Sequence, residues 1–153
     1  MTRSVWDFPR PPAVEQWGEH VVVTLGGVQV AATTEAWCIL ETSHPPTYYL
    51  PRSCFAEGAL VEAGGSSFCE WKGRAAYVDV VGGDVVAPRA GWYYPTPDPT
   101  YAMLADHVAL YAHPMECSVD GEVVQPQEGG FYGGWITSKV TGPFKGAPGT
   151  LGW

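Results

Sequence analysis

Lys72 is the residue whose chemistry stands out. It is one of three lysines in the chain, and it sits between Trp71 and Gly73 in the stretch FCEWKGRAAYVDV, Phe68 to Val80. A glycine that bends the chain there would turn the amine into a cleft. The amine would then hold an anionic or carbonyl ligand as a point charge. The competing reading is an exposed lysine at a strand end, paired with Glu70 or Asp79. Glu70 and Asp79 would serve as acid and base if they were buried together, although nothing in their spacing brings them together. Cys69 would act as a nucleophile only beside a base, and His44 is a conceivable one.

Aromatic residues make a second set. Trp37, Tyr48, Tyr49, Trp71, Trp92, Tyr93 and Tyr94 fall in strand-like segments. Successive residues of a strand face opposite ways, so one tyrosine of each adjacent pair faces the core and the other faces out. Rings left facing a cleft would box a flat or cationic ligand, and the same rings would equally make an aromatic core. Arg52 follows TYYLP and would take a carboxylate or phosphate bidentately, or else a surface ion pair of small value. The candidate ligand-binding set is Trp37, Tyr48, Arg52, Trp71, Lys72, Trp92 and Tyr94, in a pocket lying between two sheets.

Several other chemistries find no support. Cys38, Cys54, Cys69 and Cys117 form no C-x-x-C pair, and the four histidines show no metal-ligand spacing. No G-x-S-x-G elbow and no G-x-G-x-x-G turn occurs. GPFKGAPGT lacks the order of a phosphate loop. No metal or cofactor is expected. The chain of 153 residues carries a net charge of −8 without a basic cluster, which disfavours nucleic acid as a partner. No apolar run is long enough to span a bilayer. The opening MTRSVWDFPRPP has no apolar signal region, so a cytoplasmic location is the expectation.

The elements that must position these residues are short strands. VVVTLGGVQVAA, YVDVVGGDVV and CSVDGEVV read as hairpins turning at Gly26-Gly27, Gly82-Gly83 and Asp120-Gly121, where positive φ is needed. Residues 35–41, 47–51, 67–73 and 91–95 are further strands, β-branched or aromatic and bounded by Pro or Gly. One short helix is expected after Asp98 and Pro99, although HVALYAH reads equally well as a strand. SCFAEGALVEAG is a candidate for a second helical turn. Residues 1–19 form an N-terminal arm and 20–127 the domain. The tail 128–153 is rich in glycine but holds Phe131, Tyr132, Trp135, Phe144 and Trp153. Five rings are costly to leave in water, so this tail is expected to pack on the body or on a second chain, which leaves a homodimer open.

From His20 to Gln127 the sequence resembles the bacterial and fungal family called domain of unknown function 427. The resemblance is carried by Lys72-Gly73-x-Ala75-x-Tyr77 after Cys69, by Trp92-Tyr93-Tyr94-Pro95, and by VALY after the short helix. It implies a mainly β fold called a β-tent, in which two antiparallel sheets pack at a steep angle, pinned at one edge, with one or two short helices. Relatives of that fold include the ligand-binding domain of cereblon, the Yippee proteins and methionine sulfoxide reductase B. Many relatives bind zinc through two C-x-x-C pairs; this chain has none, so no zinc is carried over. The label "nucleotidyltransferase-like" sometimes attached to the family lacks its paired carboxylates here. The resulting expectation is a small-molecule binding module with an aromatic-lined pocket. The alternatives are a small-metabolite enzyme using Glu70, Asp79 or Cys69, and an interaction module using the aromatic tail.

Overall fold

The computed structural model describes residues 2–69, 71–129 and 132–153. In chain order the strands are β1 (Arg3–Ser4), β2 (Ala13–Gln16), β3 (Val21–Leu25), β4 (Val28–Thr33), β5 (Trp37–Leu40), β6 (Thr47–Pro51), β7 (Leu60–Cys69), β8 (Gly73–Gly82) and β9 (Val85–Tyr93). They continue as β10 (His107–Leu110), β11 (Glu116–Val119), β12 (Glu122–Val123), β13 (Gln125–Pro126), β14 (Trp135–Ile136) and β15 (Val140–Thr141). The architecture is mainly β, as the sequence predicts. A seven-stranded sheet runs β2-β5-β6-β10-β9-β8-β7 and a four-stranded sheet runs β12-β11-β3-β4. Every ladder in these two sheets is antiparallel.

The hairpin turns follow from glycine chemistry, with one correction. Gly26-Gly27 and Asp120-Gly121 have positive φ at both central positions, the type I′ pattern. The turn between β8 and β9 is Gly83-Asp84 rather than Gly82-Gly83, because Gly82 already pairs with Val85. Gly82 is required for a different reason. A Cβ there would lie 2.3 Å from the Leu25 carbonyl oxygen, and one on Gly26 would lie 2.3 Å from the Gly82 carbonyl oxygen. The two hairpin tips therefore cross backbone to backbone, joining the two sheets at that corner.

The helical segments among the described residues are short, as expected, and all are of the 3-10 type. Asp98 caps its turn by accepting from Thr100 N at 3.0 Å, and Pro99 follows, yet the segment Pro99–Leu104 is a 3-10 turn that ends before Asp106 takes φ 58°. HVAL continues as β10. Arg52–Cys54 is a single 3-10 turn, and the segment after it is β7. A third such turn, Val5–Asp7, lies in the N-terminal arm.

Strand alternation divides the interior in two. Cys38, Leu40, Tyr48, Leu50, Val78, Val80, Val108 and Leu110 point from the seven-stranded sheet toward Val21, Val23, Leu25 and Val30 of the four-stranded sheet. Ile39, Tyr49, Ala75 and Ala109 point to the opposite face, where they meet Tyr94, Tyr101 and Leu104. The tail packs against the body. Trp135 is wholly buried, stacks on Tyr48 at 5.0 Å, and donates its indole N–H to Leu110 O at 2.9 Å. Among the described residues no helix is long and apolar enough to cross a membrane.

Candidate functional site

Cross-strand register builds the site. Trp37 pairs with Tyr49, Tyr49 with Ala109, Ala109 with Trp92, and Trp92 with Tyr77. One row of side chains thus crosses five strands on the outer face of the seven-stranded sheet. Its middle member is the small Ala109, and Trp92 Nε1 donates across it to the Tyr49 hydroxyl at 3.3 Å. A cavity of about 360 Å³ lies on this face, bordered by Tyr49, Trp92, Tyr94 and the β7–β8 turn with Trp71 and Lys72. Gln127, Tyr132, Gly133 and Lys145 of the C-terminal part close its far side.

This location corrects the expected one. The space between the two sheets is filled by the chain's own apolar side chains. The hollow opens on the face turned away from the four-stranded sheet.

The structure brings Trp71, Lys72, Trp92 and Tyr94 together around the cavity. It does not bring Tyr48, Arg52 or Trp37 to it. Tyr48 points into the inter-sheet core, where its hydroxyl donates to Glu19 Oε1 at 2.7 Å; its neighbour Tyr49 takes the outer face. Arg52 lies over the ring of Tyr93 at 4.6 Å, and Tyr93 in turn donates to Glu62 at 2.7 Å. Parity places Tyr93 opposite to Trp92 and Tyr94, so Arg52 goes with it. Trp37 stands in the aromatic row one strand beyond Tyr49 and packs on the second core instead.

Among the residues considered for chemistry, Cys69 borders the cavity, as does His44. Asp79 does not: its Oδ1 accepts from Arg89 N at 2.8 Å and so holds the positive φ of Arg89. Glu70 lies outside the described residues. No hydrogen bond joins Cys69 to His44. Cys38 and Cys117 are buried, and burial pushes both thiols up, that of Cys117 to about 12. Among the described residues no group of three or more His, Cys, Asp and Glu converges as metal ligands would.

Charge in the cavity is uneven. Lys72 is only 9 % exposed, its backbone carbonyl accepts from Asp98 N at 2.9 Å, its Nζ lies 5.9 Å from the centre of the Tyr94 ring, and no hydrogen bond or ion pair joins that ammonium to another described residue. Burial works against its charge, the Glu41 carboxylate works for it, and the net direction is a pKa above that of an ordinary lysine. The Tyr49 hydroxyl accepts from Trp92 Nε1 at 3.3 Å, and no described residue accepts its own proton. Burial raises the pKa of Tyr49 and of Tyr94, so both stay protonated.

Gln127 and Lys145 are not among the residues expected from sequence, and His44 is expected there only as a base for Cys69. Gln127 Oε1 accepts from Gly134 N at 3.1 Å, while its Nε2 donates to Lys145 O at 2.7 Å and to His44 Nδ1 at 3.2 Å. This fixes the orientation of the amide and makes Nδ1 of His44 an acceptor. Burial, then the neighbouring cations Lys145, Arg10 and Lys72, push the imidazole down to about 4. His44 is therefore neutral at pH 7.

A family model described as a domain of unknown function (DUF427) matches residues 13–125. No curated protein matches the chain. The matched span contains the sheet side of the cavity, whereas Gln127, Tyr132, Gly133 and Lys145 lie beyond it.

Proposed function

We propose, from the premise that this chain belongs to the family of domain of unknown function 427, that it is a binding module for a small organic anion. One observation carries the reading: Lys72 is a buried ammonium at the edge of an aromatic-walled cavity, with no hydrogen-bond or ion-pair partner among the described residues. Burying an unpaired charge costs several kcal/mol. An anion in the cavity offsets that cost, and the Tyr49 hydroxyl supplies a second donor toward it. Trp71, Trp92 and Tyr94 give the flat, water-excluding walls that make such a contact strong. The raised pKa of Lys72 fits this role and not attack on a carbonyl carbon, which needs a free amine.

A second reading is an enzyme with Cys69 as nucleophile, favoured by the one fact that Cys69 borders the same cavity. Its candidate base is poorly placed, because His44 Nδ1 is occupied by Gln127 and Nε2 lies 3.8 Å from Glu41 Oε2. The interaction reading loses support from the tail, since Trp135, Phe144 and Trp153 pack on Tyr48, the main core and Trp6 within the chain.

Thermal shift at pH 7 with benzoate and the neutral, similarly shaped benzamide tests the binding reading. Benzoate is expected to raise the melting temperature, benzamide to leave it unchanged, and Lys72→Met to remove the benzoate response. An equal response to both compounds, or a benzoate response that persists in Lys72→Met, counts against it.

A further inference from the structure

The cavity at Lys72 has a neighbour. A second hollow of about 430 Å³ abuts it, and Tyr111, Gln127, Tyr132 and Gly133 border both. Trp92 lines the first hollow and packs against this shared wall: its ring centre lies 4.9 Å from that of Tyr111, and a Cβ on Gly133 would lie 2.1 Å from the same indole. Glycine at 133 lets the chain pass over this ring, and the two hollows share their walls at Tyr111, Gln127, Tyr132 and Gly133.

The two compartments differ in character. The first holds the ammonium of Lys72. The second is walled by Pro88, Ala90, Ala112, Pro114 and Pro126, and among the described residues no carboxylate borders it. Its one guanidinium, Arg89, is engaged by the Gly64 carbonyl and lies 4.2 Å from the Tyr77 ring centre. A polar head site that continues into an apolar compartment fits a ligand with the same asymmetry.

The charge of the head is set by what surrounds it. Among the described residues, Lys72, Lys145 and Glu41 are the charged side chains that border the first compartment, and Arg10 lies 3.6 Å from Glu41 as its ion-pair partner. Positive charge is therefore in excess there, which favours an anionic head on the ligand.

We propose that the ligand is an elongated organic monocarboxylate. Its carboxylate meets Lys72 Nζ and the Tyr49 hydroxyl, and its apolar body crosses Tyr111 into the proline-walled hollow. This rests on the anion-binding reading of Lys72 given above and adds the length and direction of the ligand.

Isothermal titration calorimetry on the full chain at pH 7 tests it, with benzoate, 6-phenylhexanoate and the neutral 6-phenylhexan-1-ol as probes. The variants are Lys72→Met and, at exposed positions on the second hollow, His113→Trp and Pro126→Trp, each first shown to keep the wild-type melting transition. The long acid is expected to bind at least about tenfold tighter than benzoate, the gain from roughly two buried methylene groups. His113→Trp or Pro126→Trp removes that gain and leaves benzoate binding intact, whereas Lys72→Met removes binding of both acids. Equal affinity for the two acids, or a gain that survives both tryptophan variants, overturns the elongated ligand and leaves the head site standing. No binding of either acid, or binding unchanged in Lys72→Met, or equal binding of the alcohol, overturns the reading of Lys72 and this inference with it.

Discussion

Acidification should weaken this protein through His44. Its imidazole titrates at about 4 in the folded chain, against an ordinary value of 6.5. The cause is local and directional. Gln127 cannot turn its carbonyl toward Nδ1, because Oε1 already accepts from Gly134 and Nε2 already donates to Lys145. A proton on Nδ1 would therefore face an N–H donor, in a buried spot with Lys145, Arg10 and Lys72 nearby. Because the folded pKa is lowered, the unfolded chain takes up the proton first. The stabilisation is thus complete above pH 6.5 and is lost as pH falls from there toward about 4. At 1.36 kcal/mol per pKa unit, the total is about 3 kcal/mol. Urea unfolding followed by tryptophan fluorescence at pH 7, 6, 5 and 4.5, on the wild type and His44→Gln, isolates this share from other titrating groups. The stability advantage of the wild type should shrink steadily through that range. Parallel pH curves for the two proteins, or an imidazole found by NMR to titrate near 6.5, would refute the reasoning.

The crossing of the hairpin tips makes neighbouring glycines unequal. Gly26→Ala meets the Gly82 carbonyl at 2.3 Å as well as adopting φ of 60°, whereas Gly27→Ala meets nothing within 4 Å at φ 75°. Chemical denaturation should show about 1–2 kcal/mol lost for Gly27→Ala, the left-handed penalty alone, and clearly more for Gly26→Ala; equal losses would mean that the tips do not touch. Truncation after Glu128 removes Trp135 from a wholly buried seat. It should lower stability by at least about 3–5 kcal/mol, the usual cost of emptying a buried tryptophan site, and an unchanged melting temperature would show that the tail is dispensable.

What could be read in the sequence was local. Gly-Gly and Asp-Gly announced the hairpins, and the β-branched and aromatic runs gave the strands, Thr47–Pro51 with the bounds expected for it. Parity was legible in part: Trp92 and Tyr94, two apart, had to share a face. The choice between Tyr48 and Tyr49 was not legible, because it depends on register against β5 and β10, which no local signal fixes. The helix after Asp98 had its cap and its proline, but the six residues to Leu104 allow only a 3-10 turn before β10 begins. Gly82 looked like a turn residue because close backbone approach and positive φ leave the same letter in the sequence. The far wall of the cavity depends on contacts such as Gln127 to His44, 83 residues apart. A histidine and a glutamine at that separation carry no pattern. Arg52 drew notice by its charge, yet a 3-10 turn and the parity of Tyr93 carry it to the opposite face.

On the proposed reading, the ammonium of Lys72 is the seat of an anion. A crystal structure grown with a saturating aromatic carboxylate is the decisive check. A carboxylate oxygen at about 2.7–3.2 Å from Lys72 Nζ, with the ring of the ligand against Trp92 and Tyr94, is the outcome expected. An empty cavity, or a carboxylate seated elsewhere with Lys72 Nζ turned to solvent, would contradict it.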